Sequence, residues 1–100
     1  DERVLEIGTG SGYAAAVLAQ LAAEVYSVER IEALAHSAAV ALAPLGLTNL
    51  HLCCRDGTLG WPEHAPYAAI VVAAGGPQVP ASLKAQLAIG GRLVMPVSDA

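Results

Sequence analysis

A run of alternating glycines is the segment of this sequence whose residue types are best suited to contact a ligand. The run Gly8-Thr9-Gly10-Ser11-Gly12 begins two residues after Glu6, where the apolar run Val4–Ile7 ends. Glycines let the backbone turn tightly and approach a ligand where a Cβ would collide. A helix that begins near Gly12 would also point its free N–H groups at that ligand. We therefore predict a binding loop over these five residues, with the Glu6 carboxyl beside it.

Two further acids stand where a second and a third strand are expected to end. Glu29 follows the apolar run Val25–Val28, 21 residues after Gly8, and Asp56 follows the run Asn49–Cys54. An acid at the position of Glu29 is placed to accept hydrogen bonds from both hydroxyls of a ribose. Asp56 is suited to hydrogen bonds with an adenine edge. Together with the glycine loop, the two acids predict a site for a nucleoside.

Apolar runs alternate with helical spacings along the chain, and these elements must position the site. The predicted strands are Val4–Ile7, Val25–Val28, Asn49–Cys54, Tyr67–Ala73 and Arg92–Val97. The predicted helices run from Tyr13 to about Ala23, from Ile31 to Leu45, and from Pro80 to about Leu87. The stripe that defines the second helix consists of Ile31, Leu34, Ala35, Ala38, Leu42 and Leu45.

Strands that are almost continuously apolar and separated by helices indicate a parallel sheet covered on both faces. Right-handed crossovers then favour a doubly wound α/β fold. We predict the strand order 3-2-1-4-5, which places the switch point between strands one and four. Ligands of such folds bind outside the carboxyl ends of the strands at that point. Residues 1–100 are expected to form one domain, because this length supports a single core.

The type of nucleoside follows from the loop pattern and from Glu6. Dinucleotide-binding loops have the pattern G-x-G-x-x-G or G-x-G-x-x-A, whereas Tyr13 stands here in the place of the third glycine. The charge of Glu6 is unfavourable beside a pyrophosphate and suits a ligand with a cationic amino group. S-adenosylmethionine has such a group and no phosphate, so it is the predicted cofactor.

Several runs of the chain resemble a known family. Val4–Tyr13 and Val25–Arg30 resemble the cofactor-binding motifs of class I S-adenosylmethionine-dependent methyltransferases. The runs Asp56–Pro62 and Gly90–Val97 narrow the resemblance to the protein-L-isoaspartate O-methyltransferase family. The resemblance covers nearly the whole chain, and it implies a Rossmann-like methyltransferase core.

The resemblance also implies a part of the cofactor for each motif. The glycine loop and the acid before it hold the methionyl moiety, the acid after strand two binds the ribose, and the run after strand three lies on the adenine side. The residues that the resemblance assigns to the cofactor are Glu6, Gly8, Thr9, Gly10, Ser11, Gly12, Glu29, Arg30, Asp56 and Gly57.

The activity implied by the resemblance is methyl transfer to the carboxylate of L-isoaspartyl residues in damaged proteins. The chain lacks an initiator Met, and the Ser/Thr-containing substrate motif of the family is expected before residue 1. We therefore expect a partial domain, truncated at both ends and inactive alone, and assign no catalytic residue. The chain departs from the family pattern at Ala14, Arg55, Ala68 and Ala73–Gly76.

The composition bounds the partners. Of the 100 residues 55% are hydrophobic and 14% charged, and the formal net charge is -4. Scattered basic residues give no electrostatic footprint for nucleic acid, and no apolar run reaches the ~18 residues of a membrane span. Cys53-Cys54 are expected to lie buried in a strand, reduced as in the cytoplasm. The three histidines share no metal-ligand spacing, so no metal is expected.

Three alternatives stay open. The chain could belong to a class I methyltransferase with a different substrate. A nicotinamide or flavin oxidoreductase can be built on the same fold, although Glu6 and Tyr13 argue against it. A remnant without enzymatic activity could bind a nucleoside weakly or not at all.

Overall fold

A computed structural model of the chain describes residues 2–73 and 79–96. Five strands form one sheet: β1 (Arg3–Ile7), β2 (Glu24–Glu29), β3 (Leu50–Cys54), β4 (Tyr67–Val72) and β5 (Leu87–Val94). All neighbouring strands pair in parallel, in the order β3-β2-β1-β4-β5. The predicted doubly wound α/β fold and the predicted strand order are therefore confirmed.

Three helices and three single turns connect the strands. The helices are α1 (Tyr13–Leu21), α2 (Glu32–Leu42) and α3 (Ala81–Ala85). The 3-10 turns cover Ala43–Leu45, Gly57–Leu59 and Pro62–His64. Among the described residues, none of these helices is both long and apolar enough to cross a membrane.

The two faces of the sheet carry different helices. Leu83 of α3 joins a buried cluster with Leu5, Tyr26, Ile70 and other side chains of one sheet face. α1 and α2 contact β2 and β3. Their fully buried residues Ala15 and Ala38 lie outside that cluster. Right-handed crossovers explain this arrangement, because the chain runs outward from β1 to β3 and in the opposite direction from β4 to β5.

The end of the chain differs from the prediction. α3 ends at Ala85 instead of near Leu87, and β5 begins at Leu87 instead of Arg92. The Gly90-Gly91 pair lies inside β5, where Gly90 has φ +80°. Tyr67 pairs with Leu87 and Ala69 with Arg92, so a bulge accommodates the extra residues of β5. The predicted strand end at Val97 and the departures at 74–76 lie outside the described residues.

Two predictions about burial are wrong. Cys54 is exposed and Cys53 half-buried, because β3 is an edge strand with a neighbour on one side only. In the second helix Ala38 and Leu42 are buried as predicted, whereas Leu34 and other members of the stripe are exposed. Helix α2 begins at Glu32, so Ile31 lies just before the helix. Ile31 lines the cleft that is described in the next section.

Candidate functional site

A cleft of about 410 Å³ lies at the carboxyl ends of the strands, and Ile7 at the end of β1 and Val72 at the end of β4 both line it. Its position is the predicted switch point, and its volume is within the range of small-molecule sites. Five sequence-predicted residues line it beside eight others. The lining residues are Ile7, Gly8, Val28, Glu29, Arg30, Ile31, Asp56, Gly57, Thr58, Val72, Pro80, Leu83 and Met95.

Glu29 is the buried acid of this cleft. It is the last residue of β2, it is only 6% exposed, and each carboxylate oxygen accepts one backbone N–H. Oε1 accepts from Gly10 and Oε2 from Ile31, both with N···O distances of 3.0 Å. Because a carboxylate oxygen has two lone pairs, each oxygen can accept one further hydrogen bond from a ligand in the cleft. Glu29 thus has the geometry for a vicinal diol.

The glycine loop follows β1 directly and turns in the left-handed region at all three glycines. The N–H of Gly8 donates to the carbonyl of Val28 at 2.7 Å, which ties the loop to β2. A Cβ on Gly12 (φ +90°) would lie 2.9 Å from Leu42 Cδ1, so a side chain there would collide with α2. A Cβ on Gly10 would meet nothing within 4 Å, so this part of the loop borders open space.

Thr9 and Glu6 face the interior of the protein instead of the cleft. Thr9 is 5% exposed and Glu6 1% exposed, and neither lines the cleft. The Ser27 hydroxyl lies 2.6 Å from Thr9 Oγ1 and donates to Glu6 Oε1 at 2.6 Å. The assignment of both residues to a cofactor stays a prediction. In this structure neither side chain lines the cleft, so both can affect a bound ligand only by supporting the glycine loop.

Burial raises the pKa of the Glu6 carboxyl above its usual value, and repulsion from Glu29 adds to this, while the Ser27 hydrogen bond lowers it. The folded state therefore binds this proton more tightly than the unfolded state does. The contribution of Glu6 to stability is fully present below pH 4.5 and is lost as the pH rises through the raised pKa. At neutral pH the buried Glu6 carboxyl therefore makes the folded state less stable than it is at low pH.

We expect Glu6→Gln to raise the free energy of unfolding at pH 7, because the amide keeps an acceptor for Ser27 and removes the ionisable group whose charged form burial disfavours. The gain should shrink as the pH falls toward 4.5. Urea denaturation of variant and wild type across this range measures the difference.

The control variant is Glu63→Gln. Glu63 is exposed, pairs with Arg55 at 3.1 Å, and has a lowered pKa, first through its own backbone N–H and then through Arg55. Its replacement should give no gain at pH 7. A pH-independent effect of Glu6→Gln would contradict the assigned cause.

The turn after β3 also lines the cleft, through Asp56, Gly57 and Thr58. Asp56 caps this turn, because its Oδ1 accepts from the N–H and the hydroxyl of Thr58, at 2.9 and 2.8 Å. These two hydrogen bonds lower the pKa of Asp56. Gly57 is buried against Ile7, where a Cβ would lie only 2.5 Å from Ile7 Cγ2. Asp56 is exposed and keeps Oδ2 available to a ligand.

Sequence reasoning missed most of the apolar lining. Ile31, Leu83 and Met95 come from the start of α2, from α3 and from beyond β5, and they converge only in the folded chain. Of these three residues, Ile31 could have been predicted to line the cleft, because it directly follows Glu29 and Arg30 in the sequence. Ser11 is exposed in the loop, and exposed Arg30 stands at the cleft.

Arg55, a departure from the family pattern, does not line the cleft. Its guanidinium lies 5.6 Å from the centre of the Trp61 ring and pairs with Glu63. In residues 2–73 and 79–96, no group of three or more His, Cys, Asp or Glu side chains is placed to hold a metal ion.

The strand order, the glycine loop and the buried acid at the end of β2 define a Rossmann-like domain of the class I methyltransferase type. The chain is similar to a solved protein-L-isoaspartate O-methyltransferase, with a TM-score of 0.91 and 39% identity over 96% of this chain and 31% of that one. A Plasmodium falciparum chain solved with S-adenosyl-L-homocysteine has a TM-score of 0.77 at 23% identity, covers 98% of this chain and 52% of its own, and shares the fold.

Sequence comparison identifies the family. The family model described as protein-L-isoaspartate(D-aspartate) O-methyltransferase matches residues 1–100, and the chain belongs to this family. Curated relatives include protein-L-isoaspartate O-methyltransferase 1 of Rhodopseudomonas palustris (71% identical) and protein-L-isoaspartate O-methyltransferase 2 of Marinobacter nauticus (67%). Each match covers 96% of this chain but 39% and 44% of those proteins, respectively. The chain thus spans less than half the length of the curated relatives that it matches.

Proposed function

We propose that these residues form the S-adenosylmethionine-binding core of an enzyme that methylates the carboxylate of L-isoaspartyl residues in damaged proteins. The observation that best supports this cofactor is the geometry of the Glu29 carboxylate. Two backbone N–H groups hold it at the cleft, and both of its oxygens can accept a further hydrogen bond. Membership of the family supports the substrate.

The cleft fits the proposed cofactor in four respects. Glu29 is placed for both ribose hydroxyls, and the apolar side chains of Ile31 and Leu83 offer surface to an adenine ring. The free oxygen of Asp56 can accept from an amino group or hydroxyl of the nucleoside. The open side of Gly10 leaves room for the methionyl part. The cofactor would supply an electrophilic methyl group on a sulfonium.

The proposed transfer needs little acid–base chemistry from the protein. A substrate carboxylate is ionised at neutral pH and is already a nucleophile, so no general base has to activate it. Alignment of two reactants can lower a barrier by about 7–11 kcal/mol. The apolar lining at Val72, Leu83 and Met95 favours the loss of the sulfonium charge as the methyl group leaves. The role of this core is to hold and orient the donor.

The proposal is tested with the natural full-length chain in two steps. Calorimetry should detect binding of S-adenosylhomocysteine and no binding of NADH under the same conditions. Labelled methyl groups should then pass from S-adenosylmethionine to a peptide with one L-isoaspartyl residue, and not to the same peptide with aspartate. Tight binding of NADH alone would support an oxidoreductase instead. Binding of S-adenosylhomocysteine without transfer to isoaspartate would support a methyltransferase with another substrate.

A reducing, cytoplasmic compartment belongs to the same proposal. Cys53 and Cys54 are both free, and one of them is exposed, which suits an environment that keeps thiols reduced. Damaged proteins with L-isoaspartyl residues are the proposed partners.

A further inference from the structure

Three consecutive residues at the end of β2 hold the glycine loop. Two of the contacts use backbone N–H groups of the loop, with N···O distances of 2.7 and 3.0 Å, and the third joins two side-chain hydroxyls 2.6 Å apart. The contacts are Val28 to Gly8, Glu29 to Gly10 and Ser27 to Thr9. The position of the loop therefore depends on β2 as well as on its own glycines.

Thr9 is the one loop residue with a buried side chain. The other loop residues are three glycines and Ser11, which is exposed. Glycines in the left-handed region have much conformational freedom of their own, so the loop has to be held from outside. Among the residues that the structure describes, Ser27 is the one hydrogen-bond partner of the Thr9 hydroxyl, so this pair anchors the loop to β2 through two side chains.

The count of protons fixes the direction of the hydrogen bonds. Ser27 is fully buried, has one hydroxyl proton and donates it to Glu6 Oε1. Thr9 must then donate its own proton to Ser27 Oγ. The chain Thr9 to Ser27 to Glu6 joins the loop, β2 and β1, and all three side chains are at least nine-tenths buried. Loss of the central hydroxyl leaves a buried polar atom unpaired on each side.

We propose that Ser27 is a positioning residue of the cofactor site, which holds the glycine loop in its binding position by joining the Thr9 hydroxyl to the Glu6 carboxyl. Ser27 does not line the cleft, so it acts through the loop and not on the ligand. This inference rests on the proposed function, because it concerns the same cofactor. It adds a residue that neither the loop pattern nor the strand-end acids indicate.

Ser27→Ala should lower the affinity for S-adenosylhomocysteine about ten-fold in the natural full-length chain, measured by calorimetry. Ser27→Thr keeps the hydroxyl and should recover most of this loss. Thr9→Val removes only the outer hydroxyl of the chain, and it serves as the test if Ser27→Ala does not fold. If the two hydroxyls act as one unit, the double variant Ser27→Ala/Thr9→Val should bind no more weakly than Ser27→Ala.

Asn49→Ala is the matched control for a merely structural role. The Asn49 amide donates to the carbonyls of Ala19 and Ala22, at 2.7 and 3.1 Å, and so ties the end of α1 to the start of β3. This site lies at the opposite end of the sheet from the cleft. We expect Asn49→Ala to lower the free energy of unfolding in urea and to leave the affinity unchanged.

The outcomes separate this inference from the proposed function. If wild type binds S-adenosylhomocysteine and both Ser27→Ala and Thr9→Val bind it equally well, Ser27 has no positioning role and the proposed function stands. An affinity loss in Asn49→Ala as large as that in Ser27→Ala would also overturn the inference, because general destabilisation would explain both. If wild type binds no S-adenosylhomocysteine, the proposed function and this inference fail together.

Discussion

Glu29→Ala is expected to lower the affinity for S-adenosylhomocysteine at least about 100-fold. The variant loses the proposed acceptor of two ribose hydroxyls, and hydrogen bonds to charged groups contribute about 1.5–3 kcal/mol each. It also leaves the N–H groups of Gly10 and Ile31 without their acceptor, which loosens the loop and the start of α2. Calorimetry with the natural full-length chain measures the change.

Glu24→Ala is the control for this variant. Glu24 is the first residue of the same strand, carries the same charge and contacts His51 at 3.4 Å at the far end of the sheet. Its replacement should leave the affinity unchanged. Glu29→Gln keeps one acceptor oxygen and should give an intermediate loss. An affinity of Glu29→Ala within about three-fold of wild type would mean that the ribose contact is wrongly assigned.

Gly12→Ala is expected to cause the largest loss of stability among the loop variants. A non-glycine residue in the left-handed region costs about 1–2 kcal/mol. The new Cβ would also lie 2.9 Å from Leu42 Cδ1, and overpacking of a buried contact costs a further 1–3 kcal/mol or so. We therefore expect the free energy of unfolding in urea to fall by about 2–5 kcal/mol.

Gly46→Ala separates the two causes. Gly46 also has a positive φ, of +62°, but a Cβ there would meet nothing within 4 Å. This variant should show only the backbone cost, about 1–2 kcal/mol. Equal losses in the two variants would show that the contact between Gly12 and Leu42 adds no energy.

Sequence patterns predicted the fold because each strand can be recognised from its own contiguous residues. Each strand is a short apolar run, and breakers or helical spacings separate the runs, so the doubly wound fold with strand order 3-2-1-4-5 followed. The end of the chain was less predictable. The Gly90-Gly91 pair is typical of a break between elements. In the structure both residues belong to β5, because the residues on either side of them pair with β4 and a bulge accommodates the extra residues.

The candidate site was predictable to the extent that strand ends define it. Glu29 and Asp56 each follow a strand, and the parallel direction of the strands brings both residues to one cleft. The orientation of side chains was not predictable in the same way. Thr9 and Glu6 belong to the loop motif, yet both turn inward to Ser27, whose role depends on the register of β2 beside β1.

The sequence by itself determined the order of elements, the family and the acids at the strand ends, because all of these are written in contiguous runs of residues. Tertiary structure alone decided which side chains line the cleft, which are buried beneath the loop, and that the cysteines of β3 lie at an edge. Those outcomes depend on the packing of segments far apart in the chain. Leu83 and Met95 meet Glu29 at the cleft only because α3 and β5 return to the same end of the sheet.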